Sequence, residues 1–182
     1  MREIAKEQNF INAKKRDSQD ICFAPDKDYA GFIERYTGEK IKTGDFIDQN
    51  GNKIGEHKGI IRYTIGQRKG LGLYNPEPLF VTALNPYDNA VTVGKSEDLF
   101  SSTLTANDIN LIPVDKINGM VHVQAKIRYA HAPQPAILRQ IDNDTIHLEF
   151  DRPQRAITPG QAVVLYDGED VIGGGTITSE NL

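Results

Sequence analysis

Cys22 is the only cysteine among the 182 residues, so it is the one side chain able to act as a sulfur nucleophile or to carry sulfur. Cations occupy positions 14–16, and nearby positive charge favours the reactive thiolate. Ile21 and Phe23 flank the cysteine, which is equally typical of a small buried hydrophobic residue. The local residue types leave both interpretations open.

No other group in the sequence has the spacing of a reactive centre. The four histidines, at His57, His122, His131 and His147, lie far apart and show no ligand spacing, which argues against a zinc or iron site. Neither a GxSxG nor an HExxH motif occurs. A single cysteine also excludes an internal disulfide and metal sites built on cysteine pairs. Cys22 is therefore the one candidate for covalent chemistry, and no metal or cofactor is expected on this chain.

Arg128 and Tyr129 form a candidate RNA contact, because arginine pairs with phosphate and a tyrosine ring can stack on a base. The alternative, which the residues alone favour, is an exposed strand end with a half-buried tyrosine. The net charge of −4 and the isoelectric point near 5.6 argue against a surface that is basic throughout, but not against one basic face. The cations do cluster, at Lys58, Arg62, Arg68 and Lys69, at Lys126 and Arg128, and at Arg152 and Arg155. Solvated charge on strand faces is the alternative to a polyanion-binding surface.

The segment 55–72 contains five glycines with polar residues between them, among them His57, Arg62, Gln67, Arg68 and Lys69. Glycine permits backbone shapes and close approaches that side chains block, so this segment is predicted to be more than a connector. It lacks the GxxxxGK[ST] spacing of a phosphate-binding loop, and a mononucleotide site here has little support.

Two short helices are predicted near the N-terminus. One covers residues 2–9 and begins without an N-cap, as though cut from a longer chain. The other covers residues 27–36, with Asp26 as its N-cap and Gly38 as its stop. The apolar residues of this second helix recur at helical spacing, at Tyr29, Phe32, Ile33 and Tyr36.

Strand patterns follow from residue 46 onward. Asn50-Gly51 predicts a type I′ hairpin turn, and residues 79–84 and 90–93 predict a strand pair. Val121, Val123, Ala125 and Ile127 alternate with polar residues, as in a half-buried strand. Several more short strands between turn signals predict a small closed barrel. The fold class is mainly β with a few short helices: a small α+β central domain followed by a C-terminal β-barrel.

No apolar run approaches the roughly 18 residues of a membrane span, and the first residues lack the apolar segment of a secretory signal. A lone cysteine suits a reducing compartment. We expect a cytoplasmic protein without membrane contact.

Several segments together resemble the tRNA-specific 2-thiouridylase family (MnmA/TrmU), and they occur in the family's order along nearly the whole chain. The matching segments are residues 2–5, 14–23, 55–59, 63–72 (YTIGQRKGLG), 126–129 (KIRY), 158–161 (TPGQ), 166–168 and 173–175.

The resemblance implies a tRNA-uridine 2-sulfurtransferase, which places sulfur at the 2-position of the wobble uridine after ATP-dependent adenylation with Mg²⁺. The family's nucleotide-binding domain carries an SGG-x-DSS loop, and this sequence contains neither that loop nor the family's second catalytic cysteine. The resemblance therefore implies a tail of the catalytic domain at 1–24, a central domain at 25–103 and a β-barrel domain at 104–182. ATP and Mg²⁺ would be bound by the missing domain, and the chain alone would be inactive.

By the same resemblance, Cys22 matches the cysteine that accepts sulfur as a persulfide, which implies a sulfur-donor protein as a partner. Arg128, Tyr129 and Gln161 match tRNA-contacting residues, and residues 63–72 would face RNA or the missing domain. Two other functions are weighed against this one. The first is a non-catalytic RNA-binding barrel with an incidental cysteine, and the second is a stand-alone thiol redox protein.

Overall fold

The computed structural model describes residues 2–9 and 28–178. The chain divides into two compact units, Met1–Ile41 and Lys42–Leu182, and each is considered by itself. The mainly β fold class with a few short helices is confirmed. The domain limits at 24/25 and 103/104 stay a prediction.

The first unit contains the two predicted helices, α1 (Arg2–Glu7) and α2 (Tyr29–Thr37). The predicted N-cap was wrong: Asp28 caps α2, because its carboxylate accepts the Gly31 N–H at 3.0 Å. Asp26 lies outside the described residues. The helix ends as predicted at Gly38, which adopts the left-handed conformation (φ 73°) and donates to the Glu34 carbonyl.

The second unit begins with a four-stranded sheet of order β2-β1-β4-β3. Its strands are β1 (Gly44–Ile47), β2 (Lys53–His57), β3 (Phe80–Asn85) and β4 (Ala90–Gly94). Strands β1 and β4 run parallel and the other pairs antiparallel. One hydrophobic cluster in this part of the chain consists of β-branched, aromatic and leucine residues, namely Phe46, Tyr63, Leu71, Val81, Val91 and Val93. Tyr63 and Leu71 come from the glycine-rich segment, which therefore completes this core.

The β1–β2 hairpin is confirmed, but the type I′ turn is wrong. A type I′ turn needs positive φ at both central residues, and Gly51 (φ 83°) has it whereas Asn50 does not. Instead the Gly51 N–H donates to the Asp48 carbonyl at 3.1 Å. The Asp48 carboxylate accepts the N–H groups of Asn50 and Asn52, and these local bonds hold the longer turn.

Six strands close the barrel in the order β10-β5-β8-β7-β6-β9, and all the pairs are antiparallel. They are β5 (Phe100–Leu111), β6 (Met120–Lys126), β7 (Gln134–Gln140), β8 (Ile146–Arg155), β9 (Ala162–Asp167) and β10 (Asp170–Ile177). The predicted barrel is thus confirmed. Its interior is filled from all six strands, for example by Leu104, Leu138, Leu148, Leu165 and Ile177.

The alternation predicted for β6 holds for Val123 and Ala125, which are buried, but not for Val121, which is 39% exposed. The reason is the length of the neighbouring ladder. Strand β9 pairs with β6 only from Gln124 to Lys126, so the start of β6 extends past its partner. Within the described residues, no helix is long and apolar enough to cross a membrane.

Candidate nucleic-acid interface

One end of the barrel carries three of the four predicted site residues. Strand β6 runs antiparallel to β9, and Lys126 near the end of β6 pairs with Val164 near the start of β9. Arg128 and Tyr129 follow β6, and Gln161 directly precedes β9. Residues separated by more than 30 positions are therefore brought to the same end of the barrel by the strand pairing.

Tyr129 is almost fully exposed, with 98% of its surface accessible. The half-buried tyrosine of the alternative interpretation is thus not what the structure contains. The Nζ atom of Lys126 lies 5.5 Å from the centre of the Tyr129 ring, a cation–π arrangement. A cation beside an open aromatic face provides both a phosphate partner and a stacking surface.

Arg128 is half-buried and binds within the protein. Its Nη2 atom donates a short hydrogen bond to the Ala156 carbonyl and a longer one to Thr158 Oγ1, at 3.4 Å. Part of the guanidinium is therefore hydrogen-bonded to the turn between β8 and β9. We call this turn, residues 156–161, the 156–161 turn.

Gln161 is exposed, and its backbone is tied down on both sides. Its N–H donates to the Thr158 carbonyl at 3.2 Å, and its carbonyl accepts the Ile177 N–H at 2.8 Å. The Gly160 N–H donates to the Ile177 carbonyl at 2.8 Å. These hydrogen bonds attach the 156–161 turn to the end of β10. They fix the backbone of Gln161 and therefore the point from which its side chain extends.

The basic residue Arg155 also has a partner within the protein. Its guanidinium carbon lies 5.4 Å from the centre of the Phe80 ring, so it stacks between the barrel and the four-stranded sheet. The clustering of cations in the sequence therefore overstates how much positive charge this end of the barrel presents to solvent.

His57 in the glycine-rich segment is a core residue, which the sequence did not indicate. It is 1% exposed, its Nδ1 atom accepts the Gly59 N–H at 3.1 Å, and its Nε2 atom lies 3.0 Å from the Asn89 carbonyl. Since Nδ1 accepts, the ring proton is assigned to Nε2. The ring packs edge-on against Phe46 and Tyr63, at 5.6 and 5.5 Å between ring centres.

Gln67 organises the next part of that segment. Its Oε1 accepts the Thr64 N–H and its Nε2 donates to the Lys69 carbonyl, both at 3.0 Å. Its backbone carbonyl accepts the Val81 N–H at 2.9 Å. These bonds fold the segment onto β3 and leave Arg68 and Lys69 exposed, while contact of this segment with RNA stays a prediction.

Cys22 and the cations at positions 14–16 lie outside the described residues. In the part of the chain that the structure does describe, no three residues among His, Cys, Asp and Glu come together as a metal site would require.

Comparison with known families gives two matches that follow one another along the chain. Residues 30–95 match a family model described as a tRNA methyl transferase PRC-barrel domain. Residues 101–177 match one described as an aminomethyltransferase beta-barrel domain. The first covers the four-stranded sheet and the second covers the closed barrel.

Three similar curated proteins are each named tRNA-specific 2-thiouridylase MnmA. The chain is 49% identical to the protein of Clostridioides difficile over 177 residues, which are 97% of this chain and 49% of the relative. It is 50% identical to that of Lachnoclostridium phytofermentans, covering 97% of this chain and 50% of the relative. It is 48% identical to that of Carboxydothermus hydrogenoformans, covering 97% and 48%. The chain spans about half the length of the curated relatives it matches.

Proposed function

This chain belongs to the tRNA-specific 2-thiouridylase family, and from that membership we propose that it binds tRNA and carries sulfur in a tRNA-uridine 2-sulfurtransferase. The observation that supports tRNA binding best is the open ring of Tyr129 beside Lys126, at the end of the barrel that also presents Gln161. An aromatic face, a cation and an amide are the groups that single-stranded RNA requires: a platform for a base, a partner for phosphate, and a donor and acceptor for a base edge.

For sulfur transfer we propose Cys22, the only thiol of the chain. It receives a sulfur atom from a donor protein persulfide and holds it as Cys22–S–S⁻. The terminal sulfur attacks C2 of a uridine whose O2 has been adenylated by residues outside this sequence, so that the C–S bond forms as the C2–O bond breaks and AMP leaves with the oxygen. A second thiolate then attacks Cys22 Sγ, which cleaves the S–S bond, leaves sulfur on the base and forms a disulfide. This chain has no second thiol, so the proposal requires one from outside it. A reducing cytoplasm is the compartment that preserves such thiols.

ATP with Mg²⁺, which the family implies, does not fit the residues described for this chain. Segment 55–72 closes a protein core with Tyr63 and Leu71, and in residues 2–9 and 28–178 no three residues among His, Cys, Asp and Glu come together as a metal site would require. We therefore propose that nucleotide binding is carried out by residues outside this sequence, and we assign no step through ATP to this chain.

The test measures the two activities separately. The purified chain is incubated with a persulfide donor protein and examined by mass spectrometry, and binding of unmodified tRNA is measured in low salt. The wild type is expected to gain one sulfur atom on Cys22 and to bind tRNA, more weakly as salt rises because phosphate contacts release counterions. The chain alone is expected to form no 2-thiouridine. The Cys22→Ser variant should lose the sulfur and keep its tRNA affinity.

A second candidate, an RNA-binding module with an incidental cysteine, is favoured by one observation: the contacts described for Lys126, Tyr129 and Gln161 are with other residues at the same end of the barrel. That function predicts tRNA binding without any sulfur uptake at Cys22. Absence of tRNA binding at low salt would contradict both candidates, and 2-thiouridine formed by the pure chain would contradict the proposed need for an outside nucleotide site.

A further inference from the structure

We propose that Arg128 is a positioning residue, which acts on tRNA by holding the 156–161 turn and thereby Gln161, and not by its charge. This inference rests on the proposed tRNA binding and assigns one of its residues a different task. Its basis is the set of contacts that converge on Ala156, at the root of the turn.

Ala156 is 1% exposed and adopts a positive φ of 54°, a conformation that residues other than glycine rarely adopt. Such a conformation persists where the surroundings hold it. The N–H of Ala156 donates to the Leu99 carbonyl at 2.6 Å, and its carbonyl accepts hydrogen bonds from Arg128 Nη2 and, at 2.9 Å, from Thr158 Oγ1. Its side chain faces Gly66, where an added β-carbon would lie only 3.3 Å away.

Arg128 is linked to Gln161 through one residue. Its Nη2 atom donates to Thr158 Oγ1, and the Thr158 carbonyl accepts the Gln161 N–H. Loss of the guanidinium would leave the Ala156 carbonyl with one donor fewer and would remove the hydrogen bond that Thr158 Oγ1 accepts. Both changes act on the turn that aims Gln161.

Arginine suits this task better than lysine. A planar guanidinium can hold two acceptors in a fixed arrangement, here the Ala156 carbonyl and Thr158 Oγ1, whereas a lysine ammonium is a flexible point charge. A residue needed only for its charge would tolerate the exchange. The Arg128→Lys variant therefore separates the two roles.

The salt dependence of tRNA binding also distinguishes a charge role of Arg128 from a positioning role. A side chain that neutralises one phosphate contributes about 0.7 to 0.9 to the slope of log affinity against log salt. Removal of a positioning residue weakens binding and leaves that slope unchanged, because the number of phosphates contacted is the same.

The experiment measures tRNA affinity of the purified chain at several salt concentrations for Arg128→Ala, Arg128→Lys, Thr158→Val, Gln161→Ala and the double variant Arg128→Ala/Gln161→Ala. Each single variant is expected to lose about threefold to tenfold in affinity with the wild-type slope, the range for loss of one hydrogen bond. The double variant is expected to be no weaker than Gln161→Ala. Lys126→Ala is the control, since loss of the proposed phosphate partner beside the Tyr129 ring is expected to lower the slope.

Amide hydrogen exchange provides a measurement without RNA. The N–H groups of Gly160 and Gln161 are expected to exchange faster in Arg128→Lys and Thr158→Val than in the wild type, while amides in the β7–β8 ladder keep their rates. If the wild type fails to bind tRNA, the proposed function fails, and hydrogen exchange still decides whether Arg128 holds the turn. The inference is overturned if Arg128→Lys binds as the wild type does, if Arg128→Ala lowers the slope and its effect multiplies with that of Gln161→Ala, or if the exchange rates of Gly160 and Gln161 stay unchanged.

Discussion

The Nε2 atom of His57 lies 3.0 Å from the backbone carbonyl oxygen of Asn89. This contact ties the end of β2 to the residue before β4, across the start of β1. Asn89 continues it, because its side-chain amide donates to the Thr43 carbonyl at 2.7 Å. Gly44 lies between the two, where a β-carbon would approach the Asn89 carbonyl and come within 2.7 Å of His57 Nε2. One buried histidine thus sets the spacing of three strands in the sheet.

Replacing His57 by phenylalanine is expected to lower the free energy of unfolding by about 2 to 4 kcal/mol. The ring would still pack against Phe46 and Tyr63, but the Gly59 N–H and the Asn89 carbonyl would lose their partner in a buried site. Chemical denaturation measures the change. His122→Phe is the control, because His122 is exposed, and equal losses for the two variants would contradict the assigned role.

Gly66→Ala is expected to destabilise the chain more than Gly72→Ala. Both glycines have positive φ, 87° and 72°, so both substitutions carry a backbone cost of about 1 to 2 kcal/mol. Only at Gly66 does the new methyl group meet a neighbour, the Ala156 side chain at 3.3 Å, whereas nothing lies within 4 Å at Gly72. Comparing the thermal unfolding midpoints of the two variants isolates the effect of this contact. Equal midpoints would show that the Ala156 side chain accommodates the new methyl group with no loss of stability.

Tyr129→Ala is expected to weaken tRNA binding by about 5-fold to 100-fold, the range for loss of one stacked base. It should leave the unfolding free energy unchanged, because the ring is 98% exposed. Tyr87→Ala is the matched control, since Tyr87 is equally exposed but lies in the β3–β4 turn. The role assigned to Tyr129 fails if both variants bind tRNA alike.

The pKa of Asp48 is lowered from its ordinary value of 3.8, first by the Asn52 side-chain amide and then by backbone N–H groups of the turn. A lowered folded-state pKa stabilises the fold above the unfolded value, and this stabilisation is lost as the pH falls through the folded value. NMR titration of the carboxyl carbon should give a midpoint below 3.8, and Asn52→Ala should move it upward. A midpoint that Asn52→Ala leaves unchanged would exclude the side-chain amide as the main cause.

The periodicity of the sequence was enough to predict several elements, because it reflects interactions between residues close along the chain. The helix ending at Gly38, the strand pair around residues 85–90 and the alternation of Val123 and Ala125 are of this kind. The exact caps and turns were harder to predict. Asp28 caps the helix, two residues after the predicted Asp26, and the Asp48 carboxylate holds the turn at Asn50-Gly51, and residue type alone does not decide which acceptor meets these backbone N–H groups.

The sequence by itself determined the family resemblance, the β-rich class and the presence of one thiol in the chain. Only the tertiary structure decided that His57 is a core residue, that Tyr129 is fully exposed and that Arg128 binds the Ala156 carbonyl. The physical reason is sequence distance. His57 and Asn89 are 32 positions apart in the sequence, and Arg128 and Ala156 are 28 apart. Strand pairing and barrel closure bring each pair together, and no local sequence pattern indicates these contacts.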